Sequence, residues 1–393
     1  MPRRKINDVE MQAVAYLYSQ KYSREDIKNI LRLSQSTVSR SIQRALEAGW
    51  LETNVRFVTE HMAPERMQEI EALVSPQHHL TARLHAFAQQ HGVLARLHIR
   101  VFPNAPQPHT STTQAQPRDW FGPVAAGYIR DLLRPSRVCG VSWGYMIASV
   151  VRGLRTLGPL PLRKEPPIEF IPLCGEPLGT AITQFSSSSL AAQLDETLNG
   201  GTEHSRSLAA VPALIPEEFT PREVQVIRKL IGHVTAYREI FQPREADEGQ
   251  QTPWIDQLDT ILTGIGSAET SLKYWDDALV RTGGIDRDRL SRLVIGDICG
   301  ILFARPDLSP SQQTELKRIE ERWMGIREHQ MQRCAAQALQ QGTPGVIVVA
   351  VGADRAESVC ESIKRGLVNT LVIDRALADA LLQKMAAELQ VVR

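Results

Sequence analysis

Apolar residues recur every three or four positions through the first fifty residues, and the polar residues between them form helix-end signals. Val9, Val14, Leu17 and Tyr18 predict a first helix, capped by Asn7 or Asp8 and running to about Gln20. Ser23 with Asp26 three residues on makes a capping-box pair before a second helix, whose inner stripe is Ile27, Ile30 and Leu31. Arg32, Leu33 and Ser34 form a tight corner. Ser34 then caps a third helix ending at Gly49, with Val38, Ile42, Ala45 and Leu46 on its inner face. Trp50 to Phe57 alternates like a short wing strand. From Pro64 to Gly92 the helical period returns, carried by Met67, Ile70, Leu73 and Val74 and then by Leu80, Leu84 and Phe87.

The period changes after residue 97. Leu97 to Phe102 is an apolar strand, followed by a Pro-, Thr- and Gln-rich loop over 103–119. Short continuous apolar runs then alternate with helical segments. Arg137–Ser142, Pro167–Leu173, LAAVPALI, part of DQLDTILTGIG, Gly345–Gly352 and Leu367–Asp374 read as strands. Between and after them YMIASVVRGL, SLAAQLDETL, REVQVIRKLIGHVTAYREI (one long helix), AESVCESIKRG and ALADALLQKMAAEL read as helices. This pattern predicts an α/β fold: a doubly wound, mostly parallel sheet covered on both faces. The expected organisation is a small helical head over 1–60, a helical link over 61–92 and a large domain over 93–393.

Composition narrows the classes. The chain has 393 residues, 42% hydrophobic and 23% charged, so it holds ample material for a core. The net charge is +1, yet Lys and Arg outnumber Asp and Glu through the first sixty residues. No run of eighteen apolar residues exists and no signal-peptide stretch opens the chain, so no membrane association is expected. Five scattered cysteines, never in a C-x-x-C pair, fit buried reduced thiols in a cytoplasm. His78, His79, His85 and His91 lack carboxylate or cysteine partners in a compact pattern and read as a solvated helix face. No metal and no cofactor are expected.

The outer face of the third helix carries the first chemistry. Gln35, Ser36, Thr37, Ser39, Arg40, Gln43 and Arg44 offer amide, hydroxyl and guanidinium groups on a slim N-terminal end. That set suits base edges and phosphates of double-stranded DNA. Arg3, Arg4 and Lys5 read as an arm for phosphate or the minor groove. The second chemistry lies in the turns after the strands, where ligands of open α/β sheets bind. Gly140–Tyr145, the hydroxyls of Ser186–Ser189, Gly264–Ser267 and Gly352–Arg355 are small polar turns at such ends. Together they predict one shared ligand site.

Several stretches resemble the SorC family of bacterial transcriptional regulators: LRLSQSTVSRSIQRALEAGWLE, VCGVSWGYMIASVVRGL, LTGIGS, VIGDICGILF and VIVVAVGADRAESVCESIKRGLVNTLVIDRALADALL. The resemblance is ordered along nearly the whole chain. It implies a helix–turn–helix head on a sugar-binding domain with the deaminase/isomerase type of fold. It also implies an operator-binding oligomer, commonly a tetramer and otherwise a dimer, that responds to a sugar or sugar phosphate. Ser142, Trp143, Gly144, Tyr145, Gly266, Asp297 and Arg355 are the implied effector residues, and Ser187 and Ser188 join them as hydroxyls of the strand-end turns. Four positions depart from the family pattern, among them Gln35 where Arg is frequent and Val351 where Gly is usual. Tyr145 stands where Thr is usual, and Arg355 stands where Lys is, keeping the charge but unable to form a Schiff base. The alternative is a sugar-phosphate isomerase or deaminase with an added DNA-binding head. Its one candidate base is Asp297, which reads equally as a turn carboxylate and has no His or Glu arranged as a partner.

Overall fold

The computed structural model describes residues 8–20, 22–51, 77–93, 97–104, 117–160, 166–176, 183–201, 204–242, 244–246, 249–269 and 287–391. The chain divides into two compact units, Met1–Ala82 and Arg83–Arg393.

In the first unit, helices α1 (Asp8–Ser19), α2 (Arg24–Leu31) and α3 (Gln35–Glu47) pack on one another. Local chemistry sets each boundary. The Ser23 hydroxyl accepts the Asp26 N–H at 3.1 Å while the Asp26 carboxylate accepts the Ser23 N–H at 3.3 Å, closing the expected capping box. Arg32 is left-handed (φ 52°), which ends α2 in a single residue and turns the chain into the corner. Ser34 accepts the Thr37 N–H at 3.2 Å and starts α3. The core is Val14, Ala15, Leu17, Ile27, Val38, Ile42, Ala45 and Leu51. Leu46 differs from expectation, being 42% exposed, and Ser41 is buried instead. The stripe stays centred on positions 38, 41, 42 and 45, which rotates Leu46 to the rim, and the Ser41 hydroxyl donates to Thr37 O at 2.9 Å. The expected wing beyond Leu51, the arm residues Arg3, Arg4 and Lys5, and the helix over 64–76 lie outside the described residues. The later part of that helical segment is α4 (Gln77–Gln90), and the division between the units falls inside it.

The second unit is built on β1 (His98–Phe102), α5 (Pro117–Leu133), β2 (Val138–Val141), α6 (Tyr145–Leu157), β3 (Glu169–Pro172) and α7 (Ser187–Asn199). There follow α8 (Pro221–Ile231), α9 (Thr235–Phe241), the small hairpin of β4 (Arg244–Ala246) and β5 (Gly249–Gln251), β6 (Thr260–Ser267) and α10 (Arg287–Leu293). The chain continues with β7 (Val294–Ile298), β8 (Ile301–Ala304), α11 (Pro310–Arg322), α12 (Glu328–Gln341), β9 (Gly345–Ala350), α13 (Ala356–Lys364), β10 (Thr370–Asp374) and α14 (Arg375–Val391).

Six strands run parallel in the order β1-β10-β9-β6-β2-β3. Alternation along the strands fills both faces. Cys139 and Val141, Leu262, Ile347 and Val349, and Val372 join α5, α6 and α7 in one core. Val346 and Val348, pointing the other way, are equally buried. The chain leaves β2 toward β3 and leaves β9 toward β10, in opposite directions, with β6 between them. That is a topological switch point, where a crevice opens beyond the strand ends.

Three expectations are corrected. LAAVPALI forms no strand: Pro212 interrupts it and Pro216 follows it directly, and only isolated bridges from Pro212 and Leu214 remain. The single long helix is two, α8 and α9, broken at Gly232, His233 and Val234, where Gly232 is the weak helix former. The sheet also gains antiparallel strands: the last three residues of β6 pair with β7, and β7 pairs with β8. Their turn, Cys299 (φ 50°) and Gly300 (φ 79°), is left-handed at both residues, the geometry of a two-residue hairpin.

Candidate functional site

The two units present separate candidate surfaces. On the first, the inner stripe of α3 turns Gln35, Ser36, Arg40, Gln43 and Arg44 outward, while Thr37 and Ser39 are half-buried. Arg40 folds along the helix, its Nε donating to Ser36 O at 3.2 Å, so its guanidinium lies toward the slim N-terminal end. Gln43 reaches Glu47 at 3.2 Å. Thr37 closes the cap, its hydroxyl 2.7 Å from that of Ser34. The N-terminal end of α3 therefore exposes short polar groups with a cation beside them, on a helix held rigidly from below. That arrangement fits a DNA groove.

In the second unit, the turns after β2, β6 and β9 meet at the switch point. After β2, the Ser142 N–H donates to Leu262 O at 3.0 Å and its hydroxyl to Trp143 O at 3.3 Å. Gly144 has φ 114° and ψ 165°, a conformation open only to glycine, and a Cβ there would meet nothing within 4 Å. Its N–H donates to Phe185 O at 2.9 Å, and the Phe185 ring lies against Tyr145 with centroids 4.0 Å apart. Trp143 leans on the cluster of Leu214, Leu293 and Trp323. At the end of β6, Gly266 stands opposite Asp297 of β7 in register. The buried Asp297 carboxylate accepts the Gly300 N–H at 3.1 Å and so clamps the β7–β8 turn.

After β9, Arg355 turns back into the protein. Its Nε donates to Ile265 O at 3.2 Å, and its Nη1 donates to Val351 O and to Asp354 Oδ1, the latter at 3.1 Å. Ser267 donates its hydroxyl to Asp354 Oδ2 at 2.7 Å, tying the β6 end to the β9 turn. Asp374, at the end of β10, accepts the Gly352 N–H at 3.1 Å and the Leu377 N–H at 3.0 Å through the same oxygen. Burial raises its pKa from the ordinary aspartate value, against the pull of those N–H groups.

Ser142 to Tyr145, Gly266 and Arg355 thus belong to turns at one end of the sheet, with Asp297 beside them. Ser187 and Ser188 are fixed differently. Ser187 donates to Val141 O at 2.5 Å and accepts the Leu173 N–H at 2.9 Å, and Ser188 accepts the Leu208 N–H at 2.9 Å. Both hydroxyls brace the strand ends from beneath. Sequence reading placed Ser267 and Asp354 inside the strand-end turns without giving either a role, and gave none to Phe185 or Asp374. An aspartate opening a helix is a readable cap signal, so Asp374 was findable; the Phe185 contact is purely tertiary. Among the described residues no cluster of metal-binding side chains occurs.

No protein-family model matches this sequence, and no curated protein sequence does. Solved structures do match. The full-length sorbitol operon regulator SorC from Klebsiella pneumoniae is 20% identical with a TM-score of 0.50; the match covers 95% of this chain and 99% of that one. A transcriptional regulator from Streptococcus pneumoniae TIGR4 is 16% identical with a TM-score of 0.53, covering 78% of this chain and 98% of that one. A sugar-binding domain of a transcriptional repressor from Vibrio fischeri is 16% identical with a TM-score of 0.51, covering 78% and 99%. By fold, then, this chain is similar to SorC along nearly all of its length.

Proposed function

We propose that the protein is a DNA-binding transcriptional regulator whose operator affinity is set by a sugar or sugar phosphate held at the strand ends of the larger unit. One observation carries the reading. α3 is capped, packed and buried on one side, and exposes Gln35, Ser36, Arg40, Gln43 and Arg44 on the other. Any surface helix is polar outward; what supports the reading is that this face sets short amide and hydroxyl groups at the N-terminal end with Arg40 and Arg44 further along, the groups that base edges and phosphates take. In this reading Gln35, Ser36, Thr37 and Ser39 meet base edges, while Arg40, Gln43 and Arg44, with the arm residues Arg3 and Arg4, meet phosphates. The descriptions of the similar structures, a sorbitol operon regulator and a sugar-binding repressor domain, support the same division of labour.

The head spans residues 1–60, the helical link 61–92 and the effector and oligomerisation domain 93–393. A dimer or tetramer sets two heads on a two-fold-symmetric operator. Effector binding at Ser142–Tyr145, Gly266, Asp297 and Arg355, with Ser187 and Ser188 beneath, favours one arrangement of the large domains, and DNA affinity changes by linkage. No catalytic step is assigned, since the Asp297 carboxylate is engaged as a turn clamp. A cytoplasmic setting suits five buried free thiols, and no described helix is long and apolar enough to cross a membrane.

The test is selection of genomic fragments by the purified chain at about 0.15 M salt, where non-specific phosphate binding is weak. The expected outcome is a discrete symmetric site bound about a thousandfold tighter than bulk DNA. Indistinguishable binding of all fragments overturns the reading.

A further inference from the structure

We infer that α13 and α14 together form the lever that couples the strand-end turns to the linking helix α4, with Lys364 as the positioning residue at the joint. The inference rests on the regulator reading above and names the path by which that site would act on the head.

Both helices begin at the strand-end turns. α13 follows the β9 turn directly, and the residue before it, Arg355, donates to Ile265 O near the end of β6 at 3.2 Å. α14 follows Asp374, whose carboxylate accepts the Gly352 N–H of that same turn at 3.1 Å. A displacement of the β9 turn therefore reaches the first residues of both helices. Midway along α13, the Ser358 hydroxyl donates to Ile295 O of β7 at 3.4 Å. A Cβ at Gly296 would clash with the Ser358 Oγ, so the helix sits directly on the strand. Gly296 precedes Asp297, and that side of the site presses on the same helix.

α13 has no room to absorb such a displacement. Six of its nine residues, Ala356, Ser358, Val359, Cys360, Ser362 and Ile363, are buried. A helix this short, about 13 Å, and this closely packed moves as a body. α14 is pinned to it at two further points. Lys384 Nζ donates to Glu357 Oε1 at 3.0 Å, and Lys364 Nζ lies 2.8 Å from Glu388 Oε2.

The far end of α13 meets α4. Lys364 is its last residue, and the ammonium lies 5.6 Å from the centroid of the Phe87 ring, within cation–π range. Phe87 is buried, and its helix is anchored by the His85 Nε2, 3.0 Å from Leu97 O. α4 runs from there back across the division between the units. One charge on Lys364 thus holds α13, α14 and α4 together.

Binding linkage is reciprocal, so DNA held by the head must alter α13 if α13 carries the signal. The full-length chain is followed by hydrogen–deuterium exchange, alone and saturated with the operator fragment from the selection above. In the parent, exchange at 352–364 should change by about threefold or more on adding DNA, the size of one cation–π contact, alongside changes in α3 and α4. Lys364→Met keeps the apolar stem and removes the charge. It should hold operator affinity within about threefold and keep the changes in α3 and α4, but lose the change at 352–364. Lys364→Arg puts a cation back over the ring and should recover it. A merely structural lysine would affect thermal stability and leave the DNA-dependent change in place. Operator binding that leaves 352–364 unaltered in the parent overturns the inference while the regulator reading stands. So does a change that Lys364→Met retains or that Lys364→Arg fails to recover. Failure to select any fragment overturns the regulator reading and the inference with it.

Discussion

Gly144→Ala isolates the strain built into the turn after β2. At φ 114° and ψ 165° an L side chain is disfavoured whatever the space around it. A Cβ there meets nothing within 4 Å, so no steric clash adds to the torsional cost. That cost is of order 1–3 kcal/mol. A unit of about 300 residues unfolds with an entropy near 0.6 kcal/mol/K, so the expected fall in Tm is about 2–5 °C. Gly127→Ala is the control. Gly127 lies inside α5, has ordinary backbone angles and also has open space around its Cβ position. Alanine there should raise stability by about 0.5–1 kcal/mol through helix propensity. The assay is thermal unfolding of both variants beside the parent, with circular dichroism to confirm retained secondary structure. Gly144→Ala as stable as the parent, or more so, refutes the claim that this turn requires glycine.

Three further outcomes follow from particular contacts. Arg40→Ala should weaken operator binding about tenfold and lower the salt slope by about one phosphate contact, measured by anisotropy across salt concentrations; an unchanged slope removes Arg40 from the interface. Ser34→Ala deletes the α3 cap and should cost the head about 1 kcal/mol in urea unfolding, with no loss if the Thr37 N–H finds another acceptor. Burial raises the Asp259 pKa, so between the usual carboxylate value of about 4 and that raised value the folded chain holds a proton the unfolded chain has released. Stability should therefore fall as pH rises through that window and level off above it. Asp259→Asn should flatten this part of the urea-midpoint profile, and identical profiles for parent and variant count against it.

How much was legible in the sequence differs between the units. In the head, capping and period settled α2 and α3, because Ser23, Asp26 and Ser34 bond to backbone within three residues, and the period alone marked α1. Only Leu46 was misplaced, since a stripe one position wide can rotate either way until its packing partner is known. In the larger unit the parallel strands were readable because a strand buried on both faces is apolar throughout, as β9 is. The β7–β8 pair was passed over because its turn is two residues long and its partner, β6, is a strand already assigned to the parallel sheet.

The amino-acid sequence by itself determined the three helices of the head, the six parallel strands in chain order, the outward polar set of α3 and the small turns that end β2, β6 and β9. Those properties depend on residues near one another in the chain. Only tertiary structure decided which groups at the strand ends are already bonded. Asp374 lies 22 residues from Gly352, Asp354 lies 87 from Ser267, and Arg355 lies 90 from Ile265. No local pattern encodes such pairs. They arise when parallel strands bring the ends of distant segments side by side, and with them comes the charge a ligand must meet.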